Sequence, residues 1–144
     1  MTAGPGRSRH SARVIALDPR CRYSRQQLLD RISRRALARA LAEGSVIRVR
    51  RDAYVSPWMP DALRRAATVG GRLACVSALA HRGCFEPPSA ALHVQVATGA
   101  SRLRTPAGSP RASGGAELVL HWTRVDAPPR DLLLPVAASV HQLL

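Results

Sequence analysis

The 144-residue sequence contains no lysine, so all 22 of its basic residues are arginine, and only 3% of its residues are aromatic. The absence of Lys argues against a nuclease core of the restriction type, which combines two acidic residues and usually a Lys. The scarcity of aromatic side chains argues against a surface on which single-stranded bases stack. Two common kinds of nucleic-acid protein are therefore disfavoured at the outset.

Cysteine is also scarce, with three residues and no C-x-x-C pair. An odd number of unpaired positions predicts neither a disulfide framework nor a zinc ribbon. The spacing of Cys75, His81 and Cys84 is not a standard zinc pattern, and a small buried Cys explains Cys75 more simply. We therefore expect reduced thiols and no metal ion.

No apolar run is long enough to predict a membrane span, and the N-terminus lacks the apolar stretch of a secretory signal. These absences predict a cytoplasmic protein without a membrane partner. The sequence also lacks a nucleophile elbow, an H-E-x-x-H motif and a phosphate-cradling glycine motif. It therefore predicts no catalytic residue and no cofactor, and a protein that works by binding rather than by catalysis.

Positive charge is abundant and unevenly placed. Residues 1–56 contain 13 Arg and 4 acidic residues, a net charge of +9, whereas residues 57–144 contain 9 Arg and 5 acidic residues, a net charge of +4. A concentrated positive field attracts nucleic acid, and the guanidinium fork matches phosphate and guanine edges. The first two-fifths of the chain therefore predict a nucleic-acid-binding region.

The residues that begin and end helices in this region predict a helix-turn-helix. Residues 1–11 are predicted to form a disordered basic arm, and residues 12–17 a first helix. The S-x-x-Q capping box of Ser24 and Gln27 opens a helix over residues 25–32. Ser33 then caps a helix over residues 34–43, which Gly44 ends.

A strand pattern follows at once. Residues 46–50 alternate apolar side chains with Arg, residues 51–52 can turn, and residues 53–55 can return as the partner strand. A helix, a tight turn, a second helix and a two-stranded hairpin stand in the order of a winged helix-turn-helix domain, predicted over residues 12–57.

The remaining residues, 58–144, predict a small α/β domain, either complete or truncated. Helices are expected over residues 60–69, 76–82 and 135–144, and strands over residues 92–97 and 117–123. The predicted fold class of the whole chain is therefore α+β.

The second helix of the predicted helix-turn-helix has one apolar face and one cationic face. Ala36, Leu37, Ala40 and Leu41 recur at helical spacing and should pack against the preceding helix. The outward face then contains three Arg and two small Ala, which suits a helix seated in the major groove. A solvated amphipathic helix is the simpler alternative, but such a face usually mixes charge signs.

The hairpin contributes three further Arg. Alternation places Ile47 and Val49 on one side and Arg48 and Arg50 on the other, with Arg51 at the tip. A wing of this kind contacts phosphate or the minor groove, although charge on an ordinary edge strand can also prevent aggregation. The predicted DNA-binding residues are Ser33, Arg34, Arg35, Arg39, Arg48, Arg50 and Arg51.

The segment YSRQQLLDRISRRALARALAEGSVIRVRRDAYVSP resembles the N-terminal module of the AbiEi-type antitoxins, the transcription-repressing partners in type IV toxin–antitoxin systems. The stretches RRAATVGGRLACVSALAHRG, ALHVQVATGASRLR and ELVLHWTRV resemble the continuation in actinobacterial members. The resemblance covers residues 12–144 and implies a DNA-binding winged helix that represses its own operon. It implies DNA contact for the same six Arg.

Two departures from the family are visible. The family's wing has Arg-Gly before its aromatic residue, whereas this chain has Asp52 and Ala53, and Asp adopts the left-handed conformation less readily than Gly. Relatives also continue beyond this point into further helices or a nuclease, so the chain is expected to be a short member or a fragment.

The leading functional hypothesis is a sequence-selective, double-stranded-DNA-binding repressor of the antitoxin type. A homodimer on DNA and a genetically linked toxin, which need not touch the protein, are its expected partners. Two alternatives remain open at this point: a non-catalytic DNA-targeting module of a nuclease system, and a basic protein that associates with RNA or the ribosome.

Overall fold

The computed structural model describes residues 15–84, 86, 90–109, 117–124 and 130–143. Within these ranges the fold is mixed α and β, as predicted, with five short helices and two small sheets. In chain order the elements are α1 (Arg25–Leu29), α2 (Arg34–Ala42), β1 (Ile47–Arg50), β2 (Ala53–Val55), α3 (Asp61–Val69), β3 (Arg72–Leu73), α4 (Cys75–His81), β4 (Leu92–Ala97), β5 (Leu118–Thr123) and α5 (Val136–His141).

The first two helices begin at the predicted caps. The Ser24 hydroxyl accepts a hydrogen bond from the Gln27 backbone N–H, and the Gln27 side chain accepts one from the Ser24 backbone N–H, which completes the capping box. The Ser33 hydroxyl accepts from the Ala36 N–H at 3.2 Å. Helix α1 ends at Leu29, earlier than predicted, and Gly44 adopts the left-handed conformation just beyond α2.

Strands β1 and β2 form an antiparallel hairpin with an irregularity between Arg48 and Arg50, because Arg48 pairs with Tyr54 while Arg50 pairs with Ala53. Between these two pairs β1 therefore has one more residue than β2, which is the pattern of a β-bulge. Tyr23 pairs with Tyr54 through two backbone hydrogen bonds of 2.9 Å. A short third strand segment thus precedes α1 and lies beside β2.

A first hydrophobic core joins the two helices to the hairpin. Its buried members are Leu17, Tyr23, Leu28, Leu37, Ala40, Val46 and Tyr54. Leu29, Ile32 and Leu41 are half-buried against it. The predicted inward face of α2 is therefore confirmed at Leu37 and Ala40, which are buried.

A second core lies between the other helices and the second sheet, whose strand order is β3-β4-β5. Strand β4 is antiparallel to β3 and parallel to β5. Alternate residues of β4 point into this core. The largest fully buried hydrophobic side chains there are Val55, Leu63, Val69, Leu73, Val94, Val96, Leu132 and Leu134.

Two segments link the cores. Val55 of the hairpin belongs to the second core, whereas the adjacent Tyr54 belongs to the first. The segment of residues 130–134 bonds to residues 20–22 through two backbone hydrogen bonds, and to Leu73 through two more. The boundary predicted near residue 57 is therefore crossed by shared packing and by backbone pairing.

The prediction of a helix over residues 12–17 is wrong where it can be assessed. Residues 15–17 are not helical, and residues 12–14 lie outside the described residues, as does the predicted basic arm. In a segment this short, tertiary contacts decide the conformation rather than local helix propensity. Instead, Leu17 is buried in the first core and the Asp18 N–H donates to the Tyr23 hydroxyl at 3.0 Å.

Candidate nucleic-acid interface

The outward face of α2 has the composition that the sequence predicts. Arg34, Arg35 and Arg39 are exposed, and so are Ala38 and Ala42 between and beyond them. The ion pairs of the described residues, Arg20 with Asp131 and Arg64 with Asp61, do not involve these three Arg. Their positive charges are therefore presented to solvent on one side of the helix.

The start of α2 is electrostatically unusual. The partial positive charge at a helix N-terminus favours acidic residues in the first turn. Helix α2 has no acidic residue there and begins instead with Arg34 and Arg35. The exposed Ser33 hydroxyl caps the Ala36 N–H, so the local arrangement holds two cations beside a helix start. Such a site is stabilised by an external anion such as a phosphate.

The hairpin Arg do not share one environment. Arg48 and Arg51 are exposed, and Arg48 donates from Nε to the backbone carbonyl of Arg50 at 3.2 Å. Arg50 is half-buried, with Nη1 donating to the Val69 carbonyl at 2.7 Å and Nη2 donating to the Arg102 carbonyl at 3.0 Å. Five of the six predicted Arg are thus exposed, whereas Arg50 bonds within the protein.

The contacts of Arg50 join the hairpin to the second core. Val69 is the last residue of α3, so the guanidinium lies at a helix C-terminus, where a cation is favoured. Burial, followed by the charge of Arg104, lowers the pKa of Arg50 below its ordinary value. The bulge in β1 breaks the simple alternation that placed Arg48 and Arg50 together.

The turn of the hairpin accommodates Asp52 in place of glycine. Asp52 has φ 57°, in the left-handed region, and its Oδ1 accepts a hydrogen bond from the Arg25 backbone N–H at 2.6 Å. Asp tolerates this region better than most residues because its short side chain can bond locally. Here the bond connects the hairpin turn to the start of α1.

A cationic cleft of about 420 Å³ lies beside this turn. Its charged lining consists of Arg22, Arg50, Arg51, Arg130 and Asp52. Burial, and then the charge of Arg50, lowers the pKa of Arg22, and Asp52 partly offsets this effect. Arg130 also lies over the Tyr23 ring, 4.4 Å from its centroid. The sequence patterns did not single out Arg22 or Arg130, because only tertiary pairing brings them to the hairpin.

A separate group of three side chains could hold a metal ion. One ligand atom from each of Cys75, His93 and His121 lies within 4.8 Å of the other two. Spacing in the sequence groups Cys75 with His81 and Cys84, both of which are exposed in the structure. It does not connect Cys75 with His93 and His121. No local spacing could have found this group, because its members lie on three different elements.

Comparison with known proteins gives no identification. No family model matches the chain, and no curated protein is similar to it. In the described part of the chain, no helix combines the length and apolar character that crossing a membrane requires.

Proposed function

We propose that this protein binds double-stranded DNA through a winged helix-turn-helix and acts as a sequence-selective transcriptional repressor. Helix α2 is the recognition helix and the β1–β2 hairpin is the wing. The observation that carries the proposal is the outward face of α2, which presents three exposed Arg and two exposed Ala along a helix whose first turn has no acidic residue. This face suits major-groove contact because Arg can bond bidentately to guanine and Ala can lie against a thymine methyl group.

The resemblance to AbiEi-type antitoxins adds a biological role to this proposal. In that role the protein represses its own operon in the cytoplasm, as a dimer on DNA, beside a genetically linked toxin that it need not contact. The proposed DNA-facing set is Ser33, Arg34, Arg35, Arg39, Arg48 and Arg51. Arg50 instead connects the proposed wing to the rest of the protein, because its guanidinium donates to the backbone carbonyls of Val69 and Arg102.

The proposal is tested by fluorescence anisotropy with a duplex from upstream of the gene and a scrambled duplex of equal length. Arg35→Ala and Arg39→Ala should each cost about 1–3 kcal/mol on the upstream duplex and relax the preference between the two. Arg124→Ala is the matched control, because Arg124 is also exposed but follows β5. Equal small effects in all three variants would contradict the assignment of α2.

Salt dependence separates backbone contacts from base contacts. Each phosphate contact contributes about −0.9 to the slope of log K against log salt concentration. Arg51→Ala should reduce the magnitude of this slope by about 1 and weaken both duplexes alike. Equal binding of wild type to both duplexes would remove sequence selectivity, and tighter binding to a structured RNA competitor would favour an RNA partner instead.

A further inference from the structure

Cys75, His93 and His121 converge from α4, β4 and β5. Cys75 is the first residue of α4 and is buried, while His93 and His121 are half-buried on adjacent parallel strands. In the register of these strands His121 pairs with Gln95, two residues beyond His93. The two imidazoles are therefore diagonal neighbours on one face of the sheet, a separation that long side chains can span.

Backbone contacts fix this arrangement. The Ala74 N–H donates to the His93 carbonyl at 3.0 Å, which places Cys75 directly beside β4. The His93 N–H in turn donates to the Ser77 hydroxyl at 2.9 Å. Helix α4 is thus held to the strand on both sides of Cys75, and the thiol and the first imidazole share a preorganised site.

The two histidines face each other through ring nitrogens. His93 Nδ1 and His121 Nε2 are 3.0 Å apart, and the rings stack at 5.3 Å with an angle of 29° between their planes. Burial lowers the pKa of both imidazoles, and His121 lowers that of His93 further. Neutral imidazole offers a lone pair, which is the form that binds a metal ion.

Cys75 has a backbone conformation that a simple packing role does not require. Its φ is 49°, in the left-handed region, although Cys is neither Gly, Asn nor Asp. A non-glycine residue is seldom held in this region, and such strain is concentrated at functional sites. With this backbone conformation, the thiol lies within 4.8 Å of a ring nitrogen of each histidine.

We propose that Cys75, His93 and His121 bind a single divalent cation of the zinc type. One thiolate and two imidazoles form a donor set of intermediate softness, which suits Zn²⁺ better than Mg²⁺ or Ca²⁺. Three protein ligands leave the fourth tetrahedral position to solvent.

The distances fit such an ion after small movements. Zinc–nitrogen bonds of about 2.0–2.1 Å in a tetrahedron place two nitrogens about 3.3 Å apart. The observed 3.0 Å between His93 Nδ1 and His121 Nε2 is close to that value. A sulfur ligand should lie about 3.5 Å from each nitrogen. The three ligand atoms already lie within 4.8 Å of one another. The distance from the Cys75 sulfur to each nitrogen therefore needs at most a modest decrease.

The test uses the full chain, freed of metal by a chelator, with Co²⁺ as a spectroscopic probe and Zn²⁺ as its competitor. We expect one equivalent of Co²⁺ to produce a thiolate-to-cobalt charge-transfer band and the d–d bands of tetrahedral cobalt, both abolished by Zn²⁺. Cys75→Ser should remove the charge-transfer band. His93→Gln and His121→Gln should each weaken binding about 10-fold or more, and Zn²⁺ should raise the melting temperature of wild type more than that of these three variants.

Cys84→Ser and His81→Gln are matched controls, because both residues are exposed and lie near Cys75 in the chain. These variants should bind Co²⁺ as wild type does. If Cys75→Ser does not fold, as judged by circular dichroism, the two His variants decide the matter. Wild type without a stoichiometric site, a less than 10-fold effect in both His variants, or loss of binding in the controls would each overturn the proposal. DNA binding is measured separately, so failure here leaves the proposed function untouched.

Discussion

Arg48, Arg50 and Arg51 carry the same side chain within four residues of the chain, yet their surroundings differ. Arg48 and Arg51 are exposed, whereas the guanidinium of Arg50 reaches the carbonyls of Val69 and Arg102. A carbonyl at the end of a helix has no intrahelical partner and is stabilised by a donor. The Val69 carbonyl accepts from the Arg50 guanidinium at 2.7 Å and from the Arg104 N–H at 3.2 Å, so Arg50 supplies one of two donors to the end of α3.

The first prediction at this scale concerns stability. Arg50→Ala should lower the free energy of unfolding by about 1–2 kcal/mol, because two hydrogen bonds from a charged group are lost at a partly exposed site. Arg51→Ala, at an exposed position, should change it by less than about 0.5 kcal/mol. Urea unfolding of both variants measures the difference. Equal stability of the two variants would show that the Arg50 contacts contribute nothing.

Ser33 allows capping to be separated from DNA contact. Ser33→Ala should destabilise the protein by about 1 kcal/mol, since the Ala36 N–H loses its acceptor. Ser33→Asp retains an acceptor and should keep most of the stability, but its negative charge beside Arg34 and Arg35 should weaken DNA binding. Urea unfolding and anisotropy of the same samples measure both effects. Undiminished DNA binding by Ser33→Asp would argue that no phosphate lies near this helix start.

At the scale of elements, the contact between the hairpin and α3 depends on Gly70. This residue has φ 118° and directly follows α3. A Cβ added there would lie 1.7 Å from Nη1 of Arg50. Gly71 is packed differently, because a Cβ there would lie 2.0 Å from the backbone carbonyl oxygen of Gln95. Gly70 therefore leaves space for the Arg50 side chain, whereas Gly71 allows the backbone of β4 to approach closely.

This difference predicts a coupling that a double-mutant cycle can measure. Gly70→Ala should destabilise the protein less in the Arg50→Ala background than in wild type, by about 0.5–3 kcal/mol, because the displaced guanidinium is then absent. Strain at positive φ should persist in both backgrounds. Gly71→Ala is the control, and its cost should be the same with or without Arg50. Additive costs for Gly70→Ala and Arg50→Ala would disprove the contact.

At the scale of the whole molecule, the two cores should unfold together. The hairpin contributes to both, and the segment of residues 130–134 bonds to residues 20–22 on one side and to Leu73 on the other. Calorimetry should therefore show one transition whose calorimetric and van't Hoff enthalpies agree. The region with α1, α2 and the hairpin and the region with Cys75, His93 and His121 would then belong to one cooperative unit.

Leu132 lies at this junction and is fully buried. Its N–H donates to the Arg20 carbonyl, and its carbonyl accepts from the Leu73 N–H. Leu132→Ala should cost about 2–5 kcal/mol through the cavity it leaves and should move the single transition to lower temperature. Two separate transitions in wild type or in this variant would contradict a shared unit.

Features that depend on a few neighbouring residues were predictable from the sequence. Ser24 with Gln27 and Ser33 before Arg34 identify the two helix starts, because a cap acts over three residues. The bounds of β4 were predicted without error, since alternation of apolar and polar side chains over six residues identifies a half-buried strand. The exposed face of α2 followed in the same way from helical periodicity.

Tertiary structure alone decided the features that join distant parts of the chain. The inward contacts of Arg50 depend on the carbonyls of Val69 and Arg102. The cationic cleft depends on the placement of Arg130 beside the hairpin. The group of Cys75, His93 and His121 depends on the register between β4 and β5. Capping and periodicity reflect interactions between residues close in the chain. Packing between elements instead selects which of many compatible long-range pairings forms, and that choice has no local signature in the sequence.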